Sequence, residues 1–196
     1  MCCAPRSRRV LVLGIGNILW ADEGFGVRAV EEFHRRFACP ENVTVMDGGT
    51  QGLYLVPHVA AADALVVFDA VDYGLDPGSL MLVHDDEVPK FAGIRKMSLH
   101  QTGFQEVLSA AQLLGSGPKS LLLIGCQPLD LEDWGGPLTP PVRAQIEPTL
   151  AAACAALRQW GIAPAPRAAP LAVGEGLLGH STDHDAYERR PAATGI

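Results

Sequence analysis

The sequence lacks the features that mark membrane, nucleic-acid-binding and disulfide-stabilised proteins. No apolar run approaches the roughly 18 residues that a membrane helix needs. With a net charge of −7, the chain has no excess of basic residues for nucleic acid or an anionic membrane surface. Its five cysteines are odd in number and include no Cys-x-x-Cys pair, which disfavours a zinc knuckle. Free thiols in a reducing compartment are the simplest interpretation, so the predicted location is the cytoplasm.

Common catalytic motifs are also absent. No Gly-x-Ser-x-Gly nucleophile elbow and no His-Glu-x-x-His zinc-peptidase run occurs. Gly14 and Gly16 fit the start of a dinucleotide fingerprint, but Leu19 stands where its third glycine would be. Asp22 and Glu23 would also repel a pyrophosphate at the start of the following helix. A nucleotide-dependent oxidoreductase is therefore a minor alternative.

The beginning of the chain has two interpretations. Ser7-Arg8-Arg9 followed by an apolar run resembles the start of a twin-arginine export signal. However, glycines interrupt the run, acidic residues follow it, and no small-residue cleavage site closes it. A first β-strand explains the run better, and we predict that residues 1–9 form a flexible extension.

Apolar runs and helical patterns alternate along the rest of the chain. This alternation predicts a single α/β domain, with a mostly parallel, twisted sheet covered by helices on both faces. Strands are predicted at 10–13, 43–46, 65–68, 79–83 and 120–125. Helices are predicted at 23–37, 53–60 (made irregular by Pro57), 102–114 and 140–160, the last kinked at Pro148. The domain is predicted to span 10–162, and residues 163–196, rich in Ala, Pro, Gly and charge, to be a disordered tail.

Three side chains able to hold a metal ion lie where such a sheet would gather them. Glu23 follows the first strand, Asp69 ends the most apolar strand, and His100 precedes a helical stretch. Open α/β sheets bind ligands beyond the carboxyl ends of their strands, so residues distant in sequence converge there. Two carboxylates and one imidazole form a donor set suited to a transition metal. We therefore predict a metal site formed by these three residues.

Each of the three residues has another role when it is considered alone. Glu23 could stabilise the positive end of a helix dipole. Asp69 is expected to be partly buried, so it needs a cation, a proton or hydrogen bonds, and Asn17 or backbone amides could supply the bonds. His100 could be an ordinary hydrogen-bonded loop histidine. The metal prediction depends on the convergence of all three.

Several motifs follow one another in a specific order. They are Leu13-Gly-Ile-Gly-Asn-Ile-Leu-Trp-Ala-Asp-Glu-Gly-Phe-Gly-Val27, Asp47-Gly-Gly-Thr50, Phe68-Asp-Ala70 and Ser98-Leu-His-Gln-Thr-Gly103, with Leu138-Thr-Pro140 and Ile146-Glu-Pro148 near the end. The combination, which spans roughly residues 10–161, resembles the hydrogenase maturation endopeptidases. Those enzymes process the large-subunit precursor of nickel–iron hydrogenases.

The resemblance implies a fold, an activity, a metal and a partner. In that family three residues bind the metal, and they match Glu23, Asp69 and His100. The implied sheet has about five strands. The implied reaction is of the aspartyl-type endopeptidase class: a short C-terminal extension is removed from the large-subunit precursor after nickel insertion, the nickel being supplied by that substrate. No residue is assigned as the general base, and neither nucleic acid nor a membrane is an expected partner.

The segment Asp47, Gly48, Gly49 and Thr50 is a candidate for substrate recognition, because glycine permits close approach of a substrate backbone. Its alternative is a tight turn in which Asp47 bonds its own backbone. For the whole chain, the main rival to a peptidase is a non-enzymatic chaperone that senses or carries nickel through the same three ligands. A different peptidase sharing the fold is a further alternative.

Overall fold

The computed structural model of the protein describes residues 7–88, 99–172 and 175–177. Seven strands occur in these ranges: β1 (Val10–Ile15), β2 (Phe37–Ala38), β3 (Val43–Gly49), β4 (Ala64–Ala70), β5 (Leu80–His84), β6 (Ser120–Cys126) and β7 (Ala165–Pro166). Five of them form one sheet in the order β3-β1-β4-β6-β5. All neighbours in it are parallel except β5, which runs antiparallel to β6. The predicted mostly parallel sheet of about five strands is confirmed.

Helices cover both faces of this sheet, as predicted. The described helices are α1 (Phe25–Arg36), α2 (Val56–Ala61), α3 (Leu99–Leu113), α4 (Pro140–Arg143) and α5 (Ile146–Gln159), with 3-10 helices at Ala21–Gly24, Gly52–Leu55 and Asp85–Glu87. One apolar cluster contains side chains of α1 and α5, and the other contains side chains of α2 and α3. β4 is buried along its whole length and contributes alternate residues to the two clusters. No helix in the described ranges is long and apolar enough to span a membrane.

The beginning of α1 lies directly on the carboxyl ends of β1 and β4. A Cβ atom at Gly26 would lie 2.2 Å from the carbonyl oxygens of both Ile15 and Phe68. A Cβ atom at Gly14 would lie 2.3 Å from the carbonyl oxygen of Gly26. Both positions therefore require glycine, because any side chain would push the helix away from the strands. This contact brings the turn before α1 to the edge of the sheet.

Several predicted boundaries were wrong. The first helical segment is divided into the 3-10 helix Ala21–Gly24 and α1, and α3 already includes Leu99, ahead of the start predicted at 102. The last predicted helix is two helices, interrupted at residues 144–145, where Pro148 removes the N–H that would bond to the Ala144 carbonyl. Pro148 itself lies in the first turn of α5, so the disruption is a break before it and not a kink at it. Pro57 likewise occupies the first turn of α2. The carboxyl end of β3 extends through Gly49, so most of the predicted turn at 47–50 is strand.

Part of the C-terminal segment packs against the end of α1. β7 pairs antiparallel with β2, an unpredicted two-stranded sheet. The backbone N–H groups of Arg167 and Leu171 donate to the carbonyls of Arg36 (2.8 Å) and Arg35 (3.0 Å). These bonds satisfy carbonyls that the end of a helix leaves without intrahelical partners. Hydrogen-bonded structure therefore continues beyond the boundary predicted at 162, while residues 1–6, 173–174 and 178–196 lie outside the described part of the chain.

Candidate metal and substrate site

Glu23 and Asp69 lie at the same edge of the sheet. Glu23 belongs to the 3-10 helix Ala21–Gly24 that joins β1 to α1, and Asp69 is the penultimate residue of β4. β1 and β4 are adjacent parallel strands, so their carboxyl ends meet there. The two side chains are close enough for the charge of Glu23 to raise the pKa of Asp69. The structure thus brings two of the three predicted ligands together.

The environment of Asp69 opposes a free negative charge. Its side chain is buried, and burial is the main cause that raises its pKa well above the ordinary value. The Glu23 carboxylate raises that pKa further, whereas the hydrogen bond from the backbone of Ala70 lowers it. Asn17 has a different partner, since its side-chain oxygen accepts the Leu19 N–H at 3.1 Å. A divalent cation would stabilise both carboxylates, so this donor pair fits a bound metal.

The third predicted ligand cannot be placed with the other two. His100 lies within α3 and not before the helix, and its side chain is outside the described part of the structure, as is residue 98. Among the side chains that are described, no group of three or more His, Cys, Asp or Glu residues could hold a metal ion. A three-ligand site at this edge therefore depends on His100.

Tyr73 lies beside Asp69 and was not singled out by the sequence. The position of a Cβ atom at Gly125 is only 2.4 Å from the Tyr73 hydroxyl oxygen, and Gly125 pairs with Asp69 across β4 and β6. Burial, followed by the charge of Asp69, raises the pKa of Tyr73. The phenol therefore keeps its proton and adds no negative charge to the site. Gly125 provides the space for it.

A third carboxylate, that of Asp22, holds the turn that carries Glu23, and sequence reasoning missed this role. Asp22 is fully buried. Its oxygens accept the backbone N–H groups of Leu129 (2.8 Å), Asp130 (3.0 Å) and Thr139 (2.7 Å), and the Thr139 hydroxyl (2.9 Å). The Asp22 N–H donates in return to the Asp130 carbonyl at 3.1 Å. This carboxylate thereby ties the turn after β1 to the loop after β6.

The Asp47–Thr50 segment reaches the same edge through its pairing with β1. Asp47 lies opposite Gly14, and its Oδ1 accepts the Gly49 N–H at 2.8 Å, as in the alternative in which Asp47 bonds its own backbone. Gly49 has a φ of +45°, a conformation that favours glycine. Burial raises the pKa of Asp47, whereas the Gly49 N–H and the Arg28 charge lower it. The segment is therefore positioned beside β1 and Arg28.

Comparison with known proteins places this geometry in a family. Residues 27–156 match the family described as hydrogenase maturation protease. The chain is 68% identical over 192 residues to hydrogenase expression/formation protein HupD of Bradyrhizobium diazoefficiens, covering 98% of this chain and 100% of the relative. It is 45% identical over 162 residues to the hydrogenase 2 maturation protease of Escherichia coli, covering 82% and 98%. The solved structure of the hydrogenase maturating endopeptidase HybD from E. coli superposes with a TM-score of 0.77 at 44% identity, covering 81% of this chain and 98% of that one.

Replacing Asp22 with Ala tests the tie between the two loops. The change leaves three backbone N–H groups and one hydroxyl without their acceptor, so we expect a loss of roughly 2–4 kcal/mol in the free energy of unfolding. Urea unfolding measures it. The control, Asp76→Ala, removes an exposed carboxylate and should change the free energy by less than about 0.5 kcal/mol. Equal effects of the two substitutions would contradict a structural role for Asp22.

Replacing Asp69 with Asn tests the electrostatic cost of the site in metal-free protein. Because folding raises the Asp69 pKa, the folded state loses stability as the pH rises above the unfolded value of about 3.9. Asn carries no charge and can accept the same backbone bond. The variant should therefore melt at a higher temperature than the parent at pH 7, with the difference shrinking toward pH 4. A melting-temperature difference that is absent or independent of pH would argue against an electrostatic cost at Asp69. Asp76→Asn, at an exposed position, is the control and should melt with the parent at every pH.

Proposed function

The chain belongs to the hydrogenase maturation protease family, and on that premise we propose that it removes the C-terminal extension from the nickel-loaded large-subunit precursor of a nickel–iron hydrogenase. Glu23, Asp69 and His100 recognise the nickel. The proposal places the reaction in the cytoplasm, with hydrolysis of the aspartyl-type endopeptidase class. The observation that carries it is that Glu23 and the buried Asp69 lie close together at one edge of the sheet, where two negative charges would repel each other.

The recognition step follows from the chemistry of the donors. Glu23 and Asp69 bind as carboxylates and His100 as the neutral imidazole, completing the coordination of nickel that the precursor already holds through its own thiolates. A precursor without nickel offers these carboxylates no cation, so it is held weakly and stays uncut. The enzyme thus uses the metal as a checkpoint. Nickel enters as part of the substrate.

The Asp47–Thr50 segment has a separate role in this proposal. It lies beside β1 at the carboxyl edge of the sheet, and Thr50, just beyond the end of β3, is exposed. Gly49 carries no side chain that would keep a substrate backbone away, whereas the missing side chain at the buried Gly48 makes room for Leu13 and Leu55. The segment therefore contacts the polypeptide that carries the extension, while the three ligands hold the metal.

The rival function is a chaperone that binds nickel through the same residues without cutting. Turnover separates the two possibilities. A protease at a small molar fraction lowers the mass of all the precursor, whereas a chaperone acts in proportion to its amount and leaves the mass unchanged.

The ligand assignment is tested with Glu23→Gln and His100→Ala. Each removes one donor, so cleavage of nickel-loaded precursor should slow by at least the roughly 100-fold that changes around metal ligands reach. Glu41→Gln is the matched control, because Glu41 is exposed beside β3 at the opposite edge of the sheet. Mass spectrometry over time gives the rates. Undiminished cleavage by His100→Ala would remove that residue from the mechanism, and efficient processing of metal-free precursor by the parent enzyme would refute the checkpoint.

A further inference from the structure

An acid-lined cleft of about 400 Å³ opens at the carboxyl ends of β4 and β6. One side is formed by Asp72, which follows β4 and lies close in sequence to Asp69. The other side is the loop after β6. The lining includes the acidic residues Asp130 and Glu132 and the apolar residues Leu129 and Leu131. The cleft therefore combines negative charge with apolar surface next to the proposed nickel site.

An apolar rim continues from this cleft toward the turn that carries Glu23. Trp134 is 60% exposed, and Leu129 is 58% exposed. The rings of Trp20 and Trp134 meet edge to face, with centroids 4.9 Å apart. The Gly135 N–H donates to the Leu19 carbonyl at 2.8 Å, which joins the two stretches of chain. Leu19, Trp20 and Trp134 thus lie together beside the turn that carries Glu23, and Leu129 is joined to that turn through its N–H bond to Asp22.

The cleft is held in shape by buried hydrogen bonds. Asp22 accepts the N–H groups of Leu129 and Asp130, and Asp130 in turn accepts the Glu132 N–H at 2.8 Å. The buried Gln127 side chain donates to Asp72 at 3.0 Å and accepts the Tyr73 N–H at 2.8 Å. The same carboxylate that positions Glu23 therefore positions this surface. A bound segment would keep a defined distance from the metal ligands.

We propose that this surface, formed by Leu19, Trp20, Leu129 and Trp134 with the carboxylates Asp72, Asp130 and Glu132, docks a cationic, amphipathic segment of the large-subunit precursor. The segment presents Lys or Arg to the carboxylates and apolar side chains to the tryptophans. This inference rests on the proposed function and adds a binding surface separate from the metal ligands.

The chemistry of the surface selects this occupant. Exposed tryptophan beside leucine is typical of the residues that dominate the binding energy of protein interfaces. The carboxylates favour a basic partner and speed its approach. They disfavour a second copy of this chain, whose net charge is −7. A lone metal ion is also disfavoured, because the described side chains include no group of three or more ligands.

The test compares the kinetics of two surface variants on nickel-loaded precursor. Trp134→Ala removes the exposed ring, and Glu132→Lys reverses a charge at an exposed position. Each should raise KM about tenfold and leave kcat within about twofold, because docking remote from the reacting bond contributes equally to the ground and transition states. For the parent enzyme KM should rise with ionic strength, and Glu132→Lys should flatten that dependence.

Matched controls lie near the amino end of β6, away from the cleft. Leu113→Ala removes an apolar side chain that is 90% exposed at the end of α3, and Glu87→Lys reverses an exposed charge in the 3-10 helix Asp85–Glu87. Both should leave KM unchanged.

Trp134→Phe keeps an aromatic ring on the docking surface, so its KM should lie close to that of the parent enzyme. If Trp134→Ala lowers the melting temperature, its KM no longer reports docking alone, and the KM of Glu132→Lys decides whether the surface binds the precursor.

The outcomes separate this inference from the proposed function. Unchanged KM in Trp134→Ala and Glu132→Lys, with cleavage still lost in His100→Ala, would overturn the docking surface and leave nickel recognition intact. A fall in kcat at constant KM would also overturn it, since the surface would then act on the chemical step. Undiminished cleavage by His100→Ala would instead contradict nickel recognition, whatever the surface variants show.

Discussion

The edge of the sheet that carries the site is organised by one buried carboxylate and a pair of glycines. Asp22 accepts four hydrogen bonds from the loop after β6 and from Thr139. It therefore joins the turn after β1 to a segment more than a hundred residues further along the chain. Gly14 and Gly26 let α1 lie directly on β1 and β4. Together these contacts fix the turn that carries Glu23 next to the end of β4. The proposed nickel site and docking surface both depend on that placement.

The same edge holds two carboxylates close together, Glu23 and Asp69, and burial makes a negative charge on Asp69 costly. Asp69 is buried, and its pKa is raised first by that burial and then by Glu23. Such an arrangement opposes folding of the metal-free protein and favours binding of a cation, which is a common compromise at functional sites. In the proposed function the cation arrives with the precursor. The electrostatic cost of the two carboxylates is therefore relieved only when the nickel-loaded precursor is bound.

The elements that could be predicted from the sequence are those with a repeating pattern or a strong local signal. The continuous apolar run of β4 predicted a central parallel strand, and the rule for parallel sheets predicted that Glu23 and Asp69 would share an edge. The role of Asp22 could not be predicted, because its partners lie 107 to 117 positions away and most are backbone groups. β2 and β7 have two residues each, too few to show a period. The antiparallel direction of β5 depends on tertiary packing, whereas the first-turn positions of Pro57 and Pro148 follow a local rule, since proline is tolerated where no intrahelical N–H bond is made.

The position of nickel in the enzyme–substrate complex is the decisive observation. It is obtained from crystals of the full chain with a nickel-loaded, uncleavable large-subunit precursor, by anomalous scattering at the nickel absorption edge. We expect a single nickel peak within bonding distance of carboxylate oxygens of Glu23 and Asp69 and of an imidazole nitrogen of His100. A nickel peak remote from these carboxylates, or a His100 ring facing away from it, would contradict metal-dependent recognition.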